Sequence, residues 1–189
     1  MKTKKKFEMG FFALIGLIAI TVLSGAQMND TKYSEFAMGG KEKLVTEAFN
    51  SGVAEIKFAE SVKNRTSTPE VKELATMMIA DHSNLNGKLK ALAANEKIIL
   101  NYELSTSQQK DLENLQAKSG NDLDMAYVGL LKDSHKELVD LYEKGSKCSD
   151  DQISAFFSEA LPKIKNHQDR IAKLSEKLNK DSKIGSMNN

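Results

Sequence analysis

The sequence predicts an all-α protein, an up-down four-helix bundle with a short extra helix between the second and third long ones. Apolar residues recur at alternating steps of three and four over four long stretches, which is the pattern of helices packed on one face. Capping signals and glycine or polar breaks separate those stretches by connections short enough to make neighbouring helices antiparallel. The 189 residues are 40% hydrophobic and 28% charged, a balance that suits one globular domain.

Met1–Ala26 reads as a secretory signal. Lys2, Lys4, Lys5 and Lys6 precede the apolar run Gly10–Leu23, which is shorter than the ~20 apolar residues a spanning helix needs. Ser24-Gly25-Ala26 then places small residues for cleavage after Ala26, with an uncleaved membrane anchor as the alternative. The expected location is periplasmic or secreted in a bacterium, with no membrane span once the signal is removed. Gln27–Gly40 is polar, ends in Gly-Gly and reads as a linker.

The first long helix is expected from about Lys41 to Arg65. Val45, Phe49, Val53 and Ile56 form its apolar stripe, beside a row of small residues (Ala48, Gly52, Ala59, Val62) that flanks Glu55. Small side chains let a neighbouring helix come close, so Glu55 should be at least partly buried and needs a cation, a proton or hydrogen-bond donors. After the turn Asn64–Thr68, the second helix opens with Thr68 as N-cap and Pro69 at the first helical position, and it runs to Asn95. Its seam is Val71, Ala75, Met78, His82, Leu85, Leu89 and Leu92.

Ile98-Ile99-Leu100 reads as an extended connection over the core. Ser105–Gln108 has capping-box spacing and starts the short helix, which closes at Gly120. The third long helix is expected from Asn121, as cap, to about Lys144, with Gly145 as its stop. Leu123, Tyr127, Leu130, Ser134, Leu138 and Leu141 form its seam, and a flanking row through Asp124, Leu131 and Tyr142 puts His135 at the edge of the buried face. Ser149–Gln152 is a second capping box and opens the fourth long helix, which reaches roughly Lys180. Its seam is Ile153, Phe157, Ala160, Ile164, His167, Ile171, Leu174 and Leu178; Pro162 must free a carbonyl one turn earlier and bend it. Residues 41–180 thus make the bundle, and 181–189 a polar, disordered tail.

Composition excludes several functions. With the four lysines and one glutamate of residues 1–26 set aside, 23 basic and 25 acidic side chains remain, a net of −2. Near-neutral charge, no basic stripe and no tryptophan argue against a nucleic-acid binder. No phosphate loop, GxSxG or paired-cysteine motif is present. Cys148, the single cysteine, sits in a polar turn and reads as an incidental free thiol, with pairing between molecules as the alternative. No nucleophile–base–orienter set supports a hydrolase, so an enzymatic role is not expected.

The three histidines are the chemistry left. Each falls on the apolar face of a different long helix, well inside it, and so does Glu55. Measured from the turn at 66–68, Glu55 is about 12 residues back and His82 about 15 forward, so at ~1.5 Å per residue they differ in height by about one turn. Neutral imidazoles with one carboxylate suit zinc, iron, copper or nickel. His82, His135 and His167 are therefore candidate ligands of one transition-metal ion, with Glu55 as fourth ligand or hydrogen-bond partner. Met78, one turn before His82, would favour Cu(I) as a ligand but reads better as core. Asp81 and Asp133 adjoin histidines but read as solvated carboxylates, and Asp124 as a residue favoured by its helix N-terminus. The residues three before the histidines are Ile79, Lys132 and Ile164, so the Glu-x-x-His pairs of di-iron bundles are absent.

Gly52-Val53-Ala54-Glu55-Ile56, Met78-Ile79-Ala80-Asp81-His82, Asp124-Met125-Ala126-Tyr127 with His135, and Leu161-Pro162-x-Ile164-x-x-His167 occur in that order. Over Lys41–Leu178 they resemble the bacterial proteins grouped as domain of unknown function 4142, often labelled outer-membrane or secreted proteins. The resemblance implies a ferritin-like bundle and little about activity. It maps the recurrent positions of the family onto Glu55, Asp81, His82, Asp124, Tyr127, His135, Pro162 and His167. The expected role is metal binding or envelope stress protection. The competing expectation is a non-catalytic envelope structural or interaction protein, with a protein partner in the envelope, whose histidines form a buried polar network.

Overall fold

The computed structural model describes the backbone of residues 26–187 and the burial of residues 40–184. Of the leader expected over Met1–Ala26, all but Ala26 lies outside the described residues. Five helices and no strand are present among them: α1 (Ala26–Lys63), α2 (Pro69–Asn95), α3 (Thr106–Gln116), α4 (Gly120–Gly145) and α5 (Asp151–Met187). No helix among the described residues is long and apolar enough to cross a membrane. α1 packs against α2, α3 and α4, and α5 packs against α4 and α2, so the four long helices contact one another in a closed ring.

Several helix ends differ from expectation. α1 is already helical at Ala26, the first described residue, and the stretch expected as a linker is helical backbone. Glycine costs about 1 kcal/mol relative to alanine inside a helix but keeps its N–H, so Gly39-Gly40 weakens a helix without ending it. α5 runs unbroken through Pro162 and continues to Met187, beyond the expected stop near Lys180. Polarity alone does not stop a helix. α4 starts one residue early, at Gly120, with Ser119 rather than Asn121 at the N-cap and no side-chain cap bond; Gly120 itself takes φ +56°, a left-handed conformation glycine reaches without strain. At the start of α5 the cap is Asp150, not Ser149: its Oδ1 accepts from the Gln152 and Ile153 N–H groups at 3.1 and 3.2 Å. A carboxylate is the stronger acceptor for those groups at the positive end of the helix.

Other signals hold. The capping box of Ser105 and Gln108 is complete, and Pro69 opens α2. Thr68 occupies the N-cap of α2, but its hydroxyl donates to Asp124 Oδ2 at 2.5 Å instead of capping the helix. α2 closes in a Schellman motif, with Ile98 N–H to Ala93 O at 2.8 Å and Lys97 N–H to Ala94 O at 3.3 Å, and Lys97 at φ +57°. Ile98 and Leu100 pack on the core while Ile99 is 86% exposed, the alternation of an extended segment. Arg65 donates to the carbonyls of Leu115 and Gln116 at 3.1 and 3.0 Å, and to that of Lys118, which fastens the C-terminus of α3 to the end of α1.

The α2 and α5 seams are buried at every expected position. On α1 the buried centre is the row of small residues with Glu55; Val53 and Ile56 are half-buried. On α4 the flanking row through Asp124, Val128, Leu131, His135 and Tyr142 is buried, whereas Leu130, Ser134 and Leu141 are partly exposed. His135 therefore lies at the centre of the face, not at its edge. The apolar core falls into two parts. One gathers Phe58, Val62, Val71, Met78, Leu123, Leu131 and Ile171; the other gathers Phe49, Leu85, Leu89, Leu138, Tyr142, Phe157 and Ile164. Along every long helix the break between them comes at Glu55, His82, His135 or His167.

Candidate metal centre

The helical positions deliver all four expected residues to this polar layer. Glu55, His82, His135 and His167 are each no more than 1% exposed. The ring centroids form a near-equilateral triangle, 5.8 Å from His82 to His135, 5.4 Å from His82 to His167 and 5.6 Å from His135 to His167. One ligand nitrogen from each ring lies within 4.8 Å of the other two. Glu55 reaches two of the rings, with Oε2 3.0 Å from His82 Nε2 and Oε1 3.3 Å from His135 Nδ1. Its Oε1 also accepts from the Ser134 hydroxyl at 2.8 Å.

Hydrogen-bond partners assign the tautomers of two rings. His135 Nδ1 faces two acceptors, Leu131 O at 3.1 Å and Glu55 Oε1, so it carries the proton and Nε2 keeps its lone pair. His167 donates from Nε2 to Asp81 Oδ2 at 2.8 Å, which leaves the lone pair on Nδ1. His135 Nε2 and His167 Nδ1 are buried and have no partner. His82 Nε2 and Glu55 Oε2 are also buried without a hydrogen bond: they are 3.0 Å apart, but the alignment of one is missing, so their contact is electrostatic. Two donors bound to one ion at ~2.1 Å stand about 3 to 3.4 Å apart, the spacing between Glu55 Oε2 and His82 Nε2. Closing the triangle of rings by roughly 1.5 Å would complete such a shell.

Each buried polar atom without a partner costs about 1–3 kcal/mol. Four of them converge here, from four helices, and all four carry or can present a lone pair. A cation satisfies such a set at once; a donor group can satisfy it only in part. The protonation states agree. Burial lowers the pKa of His167 to about 4, with the charges of the other two rings adding and the Asp81 bond opposing. Burial also lowers His135, against the pull of Glu55. Burial pushes the Glu55 carboxyl up, but the charges of His135 and His82 and the Ser134 bond outweigh it and hold it at about 2. Near neutral pH burial thus favours neutral rings at His135 and His167 beside an ionised carboxylate, forms that bind Zn, Fe, Cu or Ni.

The sequence reading missed two supporting residues. Asp81, expected in solvent, is a quarter exposed and spans from α2 to His167 on α5, with Lys163 Nζ 2.5 Å from its other oxygen. Burial would raise its carboxyl, but Lys163 and His167 hold it below the usual range. A carboxylate on the outer nitrogen of a ligating histidine fixes ring orientation and tautomer. The family resemblance, which maps one of its recurrent positions onto Asp81, was the one available signal. Ser134, read as a seam residue, is the donor to Glu55. Asp124 and Tyr127 lie elsewhere: Asp124 bonds Thr68, and Tyr127 is buried in the apolar part that also holds Met78. Asp133 is exposed, as expected, and Cys148 is a half-buried free thiol.

No curated protein and no solved structure matches the chain. The family described as Domain of unknown function (DUF4142) matches residues 24–174. That span contains Glu55, Asp81, His82, Asp124, Tyr127, His135, Pro162 and His167, and the chain belongs to this family.

Proposed function

We propose that this protein is an exported, ferritin-like up-down four-helix bundle that holds a single transition-metal ion, zinc, iron or copper, in its core. His82, His135 and His167 are the ligands and Glu55 is the fourth. The observation that carries the reading is the convergence of unpartnered lone pairs on three imidazoles and one carboxylate, all buried. The ring of contacts among the four long helices supports the bundle arrangement. The lysine-rich, apolar start of the chain supports export with cleavage after Ala26, and hence a periplasmic or secreted location. The role that goes with this site is metal binding or envelope stress protection.

The test is metal content and affinity of protein purified without a histidine tag, compared with His82→Ala, His135→Ala and His167→Ala. One equivalent of metal in the wild type, lost in every variant, is the expected result. A second reading takes the layer as a polar network serving an envelope structural or interaction role, favoured by the contacts Glu55 makes with two rings and Ser134. Under it the wild type binds no metal at micromolar concentration and the variants are only less stable.

A further inference from the structure

A cleft of about 270 Å³ opens between α1, α3 and α4, and Glu55 and Ser134 are among the residues that line it. Asp111 on α3 and Asp133 and Glu137 on α4 also line it, and no lysine or arginine does. None of these three carboxylates forms an ion pair among the described residues. On other parts of the surface Glu70, Glu73, Glu143 and Glu159 are each paired with a lysine or arginine. Acidic residues alone make no site. The independent feature is Glu55, which is 1% exposed, belongs to the wall of the cleft and has an unpartnered Oε2 beside His82.

We propose that this cleft is the entrance through which a divalent transition-metal cation reaches the three histidines. The proposal rests on the metal-binding reading of the same site. The unpaired carboxylates draw a divalent cation to the mouth, because a cleft lined by one sign of charge concentrates the opposite ion. Glu55 is the first group of the inner layer that the ion meets. Ser134 allows Glu55 to turn: its hydroxyl has Leu131 O as a second acceptor at 3.3 Å, so it can release the carboxylate and keep a hydrogen bond. Glu55 then passes the ion to His82, whose Nε2 lies 3.0 Å from its Oε2.

Cobalt(II) is a suitable probe, since its visible bands report arrival at imidazole nitrogen. Wild type and the triple variant Asp111→Asn/Asp133→Asn/Glu137→Gln are mixed with cobalt(II) in stopped flow at several salt concentrations. Glu70→Gln/Glu73→Gln, on the α2–α5 side, is the control. The expected result is an association rate about tenfold lower in the cleft variant, with its salt dependence reduced, and an unchanged rate in the control. The final band intensity at saturation stays that of wild type. Equal rates in all three proteins, or an equal fall in both variants, overturn the entrance while the site stands. Absence of the bands from the wild type removes the metal reading itself, and the entrance with it.

Discussion

Asp81 and His82 are consecutive in the chain but serve different rings. The imidazole of His82 turns into the core beside Glu55, and the carboxylate of Asp81 reaches across to accept the Nε2 proton of His167 at 2.8 Å. Adjacent residues on a helix diverge by about 100°, enough to place one at the centre of the layer and the other at its rim. One turn of α2 therefore supplies one histidine of the layer and also orients the histidine of a neighbouring helix. Asp81→Asn keeps the shape but loses the charge. It should lower metal affinity about tenfold, within the range found for such outer partners, and leave the helical content unchanged. Competition titration against a chelator measures it.

Metal should stabilise the fold by mass action. At a free concentration about 100 times Kd, the gain is about 2.7 kcal/mol, visible as a higher Tm that returns to its starting value with a chelator. In the His167→Ala variant the same addition should leave Tm unchanged.

The metal-free protein should lose stability as the solution is acidified, and the sign follows from His167. Its folded pKa, about 4, lies below the unfolded value of 6.5, so the unfolded chain takes up the proton first. The contribution is complete above pH 6.5 and is lost as pH falls toward 4, at roughly 1.4 kcal/mol per pH unit for one such group. His135 acts in the same direction. Urea unfolding at stepped pH in the presence of a chelator should show this slope, reduced in His167→Ala.

Gly145 ends α4 against Phe157, and a Cβ built there would sit 2.3 Å from that ring. Gly145→Ala should cost about 1–3 kcal/mol in chemical denaturation, as overpacked cores do. Its place in the half of the core with Phe157, away from the histidines, predicts unchanged metal content.

Lys97 holds the left-handed position of the Schellman motif, where a non-glycine residue is strained by roughly 1 kcal/mol. Lys97→Gly should therefore raise the urea midpoint by an amount equivalent to about 0.5–1 kcal/mol.

The helical class, the position of α3 and the depth of the four polar residues were legible because burial leaves a period in the sequence. His82 and His167 replace an aliphatic side chain in an otherwise unbroken seam, and small residues announce the close approach over Glu55. What escaped depends on neighbours the sequence does not display. Asp81 belongs to the polar face of α2 by period, and only the position of α5 turns it toward His167. His135 was displaced to an edge because two adjacent rows of α4 are both apolar, and the choice between them is made by the helices that pack on it. The ends of α1 and α5 were misread because glycine and polar residues weaken helices without stopping them.

The division of the core by its polar layer bears on how the chain finds one alignment. Aliphatic helices can slide past one another by a turn, about 5.4 Å, and still bury leucine against leucine. Here such a slide would set an imidazole among Ile, Leu and Phe and face Glu55 with hydrocarbon, and stranding a buried charge in this way costs several kcal/mol. The layer thus indexes α1, α2, α4 and α5 against each other at mid-length, as a single buried polar residue sets register in a coiled coil. Alignment keyed at the middle makes few demands on the ends, and the outer turns of α1 and α5 are free to vary in length without disturbing the layer.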